Sequence, residues 1–213
     1  YDTLIANIQA HCYLKGDWNP RGENSFAPAL CNRIDRNTGG IVIAAKNAEA
    51  LRIMNEKIKN REIDKYYLCA VCGTPRPKSG TLRGFIFKDA QKNQVYVRKM
   101  SCPGAKEAVT EYRTLQTKNG LSLVECRLLT GRTHQIRAQM ADSGAPLLGD
   151  GKYGAERINR QYGEKGQALY SYRLRFDFPT DAGILNYLKG RQFFVPDVDF
   201  VKKYFDFDFI VDI

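Results

Sequence analysis

Tyr66-Tyr67-Leu68-Cys69-Ala70-Val71-Cys72 is an unbroken apolar and aromatic run closed by Gly73, which reads as a buried strand. Four more short runs follow it, Leu82 to Phe87, Gln94 to Val97, Ala108 to Leu115 and Leu121 to Leu129, separated by Gly, Pro, Lys or Asn. Strands so closely spaced, with no helix between them, form a meander of neighbours. Around this block Asn47 is a good N-cap for a helix with Leu51, Met54 and Ile58 on one face. Lys57, Lys59 and Arg61 stand near its end, where cations suit the helix dipole. Arg132 to Asp142 reads as a second helix, stopped by Gly144 and Pro146. Asp150 to Gly166 has four glycines and no clear period, and reads as a basic surface excursion. Leu169 to Phe178 is one more strand, and a short helix fits around Ala182 to Lys189. Tyr204 to Ile213 is an edge strand or a terminal tail. Without regular strand-helix alternation the fold class is α+β: a mixed, mostly antiparallel central sheet flanked by helices. Residues 1–213 are read as a single domain, with two lobes left open.

The composition is that of a globular chain, 43% hydrophobic and 26% charged in 213 residues, so wholesale disorder is excluded. The net charge of +10 points to a polyanionic partner, because phosphates are neutralised by Lys and Arg. Six scattered cysteines lack the density of a disulfide scaffold, which implies a reduced, cytoplasmic chain. Cys69 and Cys72 have half-site spacing but no second pair, and there are only two histidines, so no metal site is expected. No apolar run is long enough to span a membrane, and the start lacks the features of a signal peptide. A chain beginning at Tyr1 is expected to be part of a longer one.

Two dense motifs carry chemistry. Asn32-Arg33-Ile34-Asp35-Arg36-Asn37-Thr38-Gly39-Gly40 sets one carboxylate among arginines, ahead of Ile41-Val42-Ile43-Ala44-Ala45, which reads as a buried strand. A polar loop held on a strand is where chemistry is commonly placed, so Asp35 is the candidate reacting group. Thr130-Gly131-Arg132-Thr133-His134-Gln135-Ile136-Arg137 puts donors at a helix start. On that helix His134 and Arg137 share one face, while Arg132, Gln135 and Gln139 share another. One face can take a phosphate and the other can hold an arginine against a carboxylate.

Together the motifs resemble the RluA-type pseudouridine synthases, which isomerise selected uridines in ribosomal or transfer RNA. Asn32 to Gly40 is similar to the family's His-Arg-Leu-Asp-x-x-Thr-Ser-Gly loop, Lys65 to Val71 to its Lys-x-Tyr segment, and Thr130 to Arg137 nearly letter for letter to its third motif. Pro146 to Asp150, Tyr153-Gly154, Ala168-Leu169-Tyr170 and Phe194-Val195-Pro196 extend the likeness over most of the chain. It implies the pseudouridine synthase catalytic fold, with Asp35 as catalytic aspartate, Tyr67 on the base and Arg137 paired to the aspartate.

Arg33 and Arg132 are expected to contact RNA; if the loop is extended, Arg33 lies on the same side as Asp35, two residues away, and fills the gap left by a flipped base. His134 either positions substrate or bonds the local backbone, Gln135 lies along the substrate, and Ile136 is core or pocket wall. The reaction needs no cofactor and no metal, and the expected partner is RNA, ribosomal first and transfer RNA second, bound by a monomer. Asn32 replaces the usual histidine and Gly39 the usual serine, and neither an upstream Lys-Pro strand nor an S4 domain is present. Taken singly, Asp35 reads as a turn cap, Tyr67 as a strand aromatic and Arg137 as an exposed helix charge. The competing functions are a non-catalytic RNA-binding module and a metal-dependent nuclease, which needs more clustered carboxylates than Asp35 and Asp150.

Overall fold

A computed structural model of the chain describes residues 2–22 and 26–207. In chain order its elements are α1 (Leu4–Leu14), β1 (Ala29–Leu30), β2 (Gly39–Gly40), β3 (Ala44–Ala45), α2 (Ala48–Lys59), β4 (Ile63–Cys72), β5 (Ser79–Asp89), β6 (Gln94–Arg98), β7 (Lys106–Lys118) and β8 (Leu121–Leu128). After these come α3 (Gln135–Asp142), α4 (Glu156–Tyr162), β9 (Leu169–Phe176), a 3-10 helix (Gly183–Leu188), β10 (Gln192–Phe194) and α5 (Asp199–Tyr204). They fall into two compact units. One holds the described residues up to Ile34 with Ile41–Ile63 and Arg175–Gln192, and the other holds Asp35–Gly40, Asp64–Leu174 and the residues from Phe193 on.

The second unit is built on the meander. The sheet runs in the order β10-β9-β4-β8-β7-β5-β6, and β2 adds to β9. The pairs β4/β8, β8/β7, β7/β5 and β5/β6 are all antiparallel. Asn119 and Gly120, at φ 51° and 78°, make the tight turn between β7 and β8, since this hairpin geometry needs positive φ at both central residues. Because side chains alternate along a strand, β4 feeds two layers. Leu68, Ala70 and Cys72 pack with Leu121, Leu123, Leu148, Val201 and Phe205, which brings α5 onto one face. On the opposite face, Ala108 packs with Ile86, Val95 and Ala138 of α3. The register Tyr67↔Cys126↔Tyr112 puts Tyr67 on the α3 side, two positions along β7 from Thr110 and four from Ala108.

In the first unit β1 pairs antiparallel with β3, and Asn47 caps α2 by accepting from Ala50 N–H at 2.8 Å. The buried stripe of α2 is Ala50, Ile53, Met54 and Lys57, so the expected face of Leu51, Met54 and Ile58 is off by about one residue. The shift has an electrostatic cause. Lys57 turns inward, where its Nζ meets Glu62 Oε2 at 2.8 Å and Thr180 Oγ1 at 2.6 Å.

Several expectations are corrected. Ile41 to Ala45 is not one buried strand: only Ala45 is buried, and only Ala44–Ala45 pairs. Asn32 Oδ1 takes the Ile43 N–H at 2.7 Å, so a side chain replaces a ladder bond. The second helix begins at Gln135 rather than Arg132, and the stretch between Asp150 and Gly166 contains α4. Helix α4 buries none of its side chains and therefore shows no apolar stripe. The end of the chain was read without α5; Phe205 to Phe207 lie outside regular elements, and the rest of the expected edge strand or tail lies outside the described residues.

The Lys57–Glu62 pair makes a stability prediction. Lys57→Met leaves Glu62 buried without its cation and is expected to cost about 3–5 kcal/mol in denaturant unfolding. Lys57 holds the Glu62 carboxyl below its usual range, outweighing the burial that pushes it up. Its contribution is therefore complete above the ordinary glutamate value of about 4.3 and is lost as the pH falls through the lower, folded-state value. An acid-unfolding curve of Lys57→Met that keeps the parent's acid limb counts against this assignment.

Candidate active site

Asp35 reaches its place through the backbone around it. Thr38 N–H closes a turn onto Asp35 O at 3.0 Å, with Asn37 at φ 67°, a conformation Asn tolerates better than most residues. Directly after it, β2 lies parallel to β9 in the register Gly39↔Tyr170 and Gly40↔Ser171. A Cβ on Gly40 would stand 2.2 Å from Ser171 O, so only glycine allows this approach. A Cβ on Gly39 would stand 2.6 Å from Tyr170 Cε2, so the aromatic ring occupies the room a serine would need. The buried Gln167 pins the loop from the other side, donating to Arg36 O at 2.6 Å and Thr38 Oγ1 at 3.2 Å.

Arg137 stands opposite, on α3, and is buried rather than an exposed helix charge. Its Nε and Nη2 hold both oxygens of Asp150 at 2.7 and 2.9 Å, while Nη1 faces Asp35 Oδ2 at 3.5 Å. The principal partner of the arginine is therefore Asp150, not Asp35. Burial works against the Arg137 charge, but the bonds and charge of Asp150, and then the charge of Asp35, raise its pKa above the usual value. Burial likewise pushes Asp150 up, and Arg137 with the N–H groups of Lys152 and Tyr153 more than reverses it. The side chain of Asp150 is 0% exposed and that of Asp35 25% exposed. Gly149, at φ 76°, lets the Asp150 segment pass against Gly166.

Tyr67 is buried on β4, and burial raises its phenol, with the Asp35 charge adding and the Ser171 hydroxyl opposing. The phenol is thus a proton donor at neutral pH. His134 precedes α3 in the left-handed region at φ 52°, and its Nδ1 lies 2.9 Å from Tyr153 Oη. Burial lowers the His134 pKa, so the ring is neutral at neutral pH. Tyr153 Oη accepts from Val95 N–H at 2.9 Å, which leaves its own proton for His134. The ring of Tyr153 also lies under the Arg137 guanidinium, 5.3 Å away.

Gln135 is buried and fully engaged within the protein. It accepts from Thr130 Oγ1 and Arg132 N–H and donates to Val109 O and Thr110 Oγ1, all within 2.8–3.0 Å. This closed turn is what displaces the helix start to Gln135. Arg132, ahead of the helix, spends its Nε on Glu107 O at 2.9 Å. Ile136 is buried, and Arg33 is exposed in the first unit. The structure thus brings together Asp35, Tyr67, Arg137 and His134. Sequence reasoning weighed Asp150 only as a metal carboxylate and passed over Tyr153 and Gln167. The signal for the first two was their place inside the quoted Pro146 to Asp150 and Tyr153-Gly154 segments. Among the described residues no group of three or more His, Cys, Asp or Glu side chains is placed to hold a metal ion.

The family model for RNA pseudouridylate synthase matches residues 7–142. The chain is 34% identical over 177 residues to the uncharacterized RNA pseudouridine synthase YlyB of Bacillus subtilis, covering 83% of this chain and 55% of that protein. It is 33% identical over 177 residues to ribosomal large subunit pseudouridine synthase D of Borreliella burgdorferi, covering 83% and 52%. The chain thus spans about half the length of the curated relatives it matches. The solved structure of human RNA pseudouridylate synthase domain containing 1 shares the fold, with a TM-score of 0.63 at 22% identity over 83% of this chain and 79% of that one. No helix among the described residues is long and apolar enough to cross a membrane. With a mostly antiparallel sheet, an arginine-held aspartate loop and these relatives, the chain belongs to the RNA pseudouridylate synthase family.

Proposed function

We propose that this chain isomerises uridine to pseudouridine in RNA, with Asp35 as the reacting carboxylate. The observation that carries the reading is the partly exposed Asp35 set against an arginine that Asp150 already holds in two places. The reaction breaks the bond from ribose C1′ to N1 of the base, turns the base, and joins C1′ to C5, with no net oxidation or hydrolysis. A carboxylate serves it either by attacking C1′ or by taking the C2′ proton, and both roles need an ionised, aimed oxygen. Arg137 aims it, with Nη1 facing Asp35 Oδ2 at 3.5 Å.

The target uridine must leave its stack, at a cost of a few kcal/mol. Tyr67 repays part of this, since a base on an aromatic face gains on the order of 1–3 kcal/mol. His134 and Tyr153 form the neighbouring neutral wall, with Ile136 behind it. Gln135 holds the turn that presents Arg132 to the RNA, and Arg33 is a further RNA contact. The target is ribosomal RNA in the first instance, a reading supported by the name of the relative from Borreliella burgdorferi, with transfer RNA as the other arm of the test. The isomerase acts in the cytoplasm.

Two variants test the reading. Asp35→Asn is expected to bring pseudouridine formation, mapped by carbodiimide-blocked primer extension on ribosomal and transfer RNA, down to background while RNA binding persists. Equal signals from parent and variant would leave only an RNA-binding module. Asp150→Asn keeps the shape and removes the charge that steers Arg137. It should lower kcat by on the order of 10²-fold with little change in RNA affinity, because a small misplacement at the reacting centre is enough for such a loss. An unchanged kcat removes Asp150 from the site.

A further inference from the structure

Lys65 is a cation that the reaction above does not use. It lies on β4 two residues before Tyr67, so the two side chains leave the same face of the strand, about 7 Å apart along it. The register Lys65↔Leu128 and Thr110↔Leu128 places it in the row of Thr110, on the face that α3 covers. Its Nζ is 3.9 Å from the point a Cβ on Gly131 would occupy, over the turn that leads into α3.

Three arginines on the central strands β7, β8 and β9 are paired within the chain. Arg113 and Arg173 share Glu125, and Arg127 bridges Asp64 and Glu111. Lys65 has no carboxylate, hydrogen-bond acceptor or ring partner among the described residues. The residue is only partly buried, so its ammonium still reaches solvent. Burial alone displaces its pKa, downward, which marks a desolvated charge that nothing nearby compensates. Such a charge weakens the folded state unless an anion arrives from outside.

We infer that Lys65 forms a phosphate subsite beside Tyr67, its ammonium neutralising one backbone phosphate of the RNA strand that carries the target uridine. The inference rests on the RNA reading proposed above. A phosphodiester fits because the subsite offers one mobile point charge and no fork, which suits a singly charged oxygen pair approached from solvent. The subsite also lies one strand step from the ring proposed to receive the base, so base and backbone are held by the same strand.

The test compares the parent chain with Lys65→Met and Lys65→Arg, using a fluorescein-labelled single-stranded RNA containing uridine and anisotropy across a KCl series. Lys65→Met should flatten the slope of log K against log salt by about 0.7, the value of one phosphate on a single strand, and weaken low-salt binding on the order of fivefold. Lys65→Arg should restore both. The melting temperature of Lys65→Met should equal or exceed the parent's, because the uncompensated charge is gone. An unchanged slope in a folded Lys65→Met overturns the subsite, as does a lowered melting temperature without a change in slope. Pseudouridine mapping on the same proteins separates this inference from the isomerase reading. Product from the parent with a slope indifferent to Lys65 sinks the subsite alone. A Lys65-dependent slope without product keeps the subsite and sinks the isomerase.

Discussion

Compensation of one buried guanidinium organises the candidate site. Arg137 is desolvated, and a desolvated cation persists only where its partners are close and well directed. Asp150 meets that demand with two parallel hydrogen bonds and takes two more from the N–H groups of Lys152 and Tyr153. Its oxygens are thereby spent, which is how a carboxylate becomes scaffold. The geometry of the fork then fixes where the remaining nitrogen points, and Asp35 stands there at 3.5 Å. Two carboxylates on one arginine are thus told apart by saturation. The saturated one orients, and the other, with a single long contact and solvent on its other side, is the one proposed to react.

The same economy shapes the approach of Asp35. Its loop has no long strand beneath it, since Gly39–Gly40 is the whole of β2. Rigidity comes instead from three local devices: the parallel contact with β9, the side chain of Gln167 and the turn closed on Thr38 N–H. A loop fixed by a handful of directional bonds can hold a reacting group while leaving its face open. The unusual Gly39 belongs to this arrangement, because the ring of Tyr170 lies where a side chain would project.

The parts of the fold that were legible are those in which one local rule decides the outcome. The hairpins of the meander follow from short apolar runs and from turn residues such as Asn119-Gly120. Helix α2 follows from its cap. The parts that were not legible are those where a side-chain bond competes with the local preference. Ile41 to Ala45 has strand composition, yet Asn32 takes the Ile43 N–H. Arg132 to His134 has helix composition, yet Gln135 bonds back across the turn. Lys57 looks like an exposed C-terminal cation, yet Glu62 and Thr180 draw it inside. Helices α1 and α4 escape pattern reading because Cys12 is the only buried side chain of the first and the second has none. In the site, Asp35, Tyr67 and Arg137 came from ordered motifs, whereas Asp150 was mistaken in role because pairing is a matter of geometry.

Buried positive charge gives a finer criterion than motif membership for sorting these residues. Lys57 and Arg137 each meet a carboxylate within 2.8 Å or less, so the free energy of burying them is balanced inside the chain. Both are held in one place for the sake of the fold or of a neighbour's orientation. Lys65 stands outside this balance, although its strand could carry an apolar residue at no electrostatic cost. A folded protein tolerates such a position when the missing charge is supplied by what it binds, and the stability forgone in the free state reappears as affinity. In a chain of net charge +10, the ligand proposed to complete the balance is a phosphate.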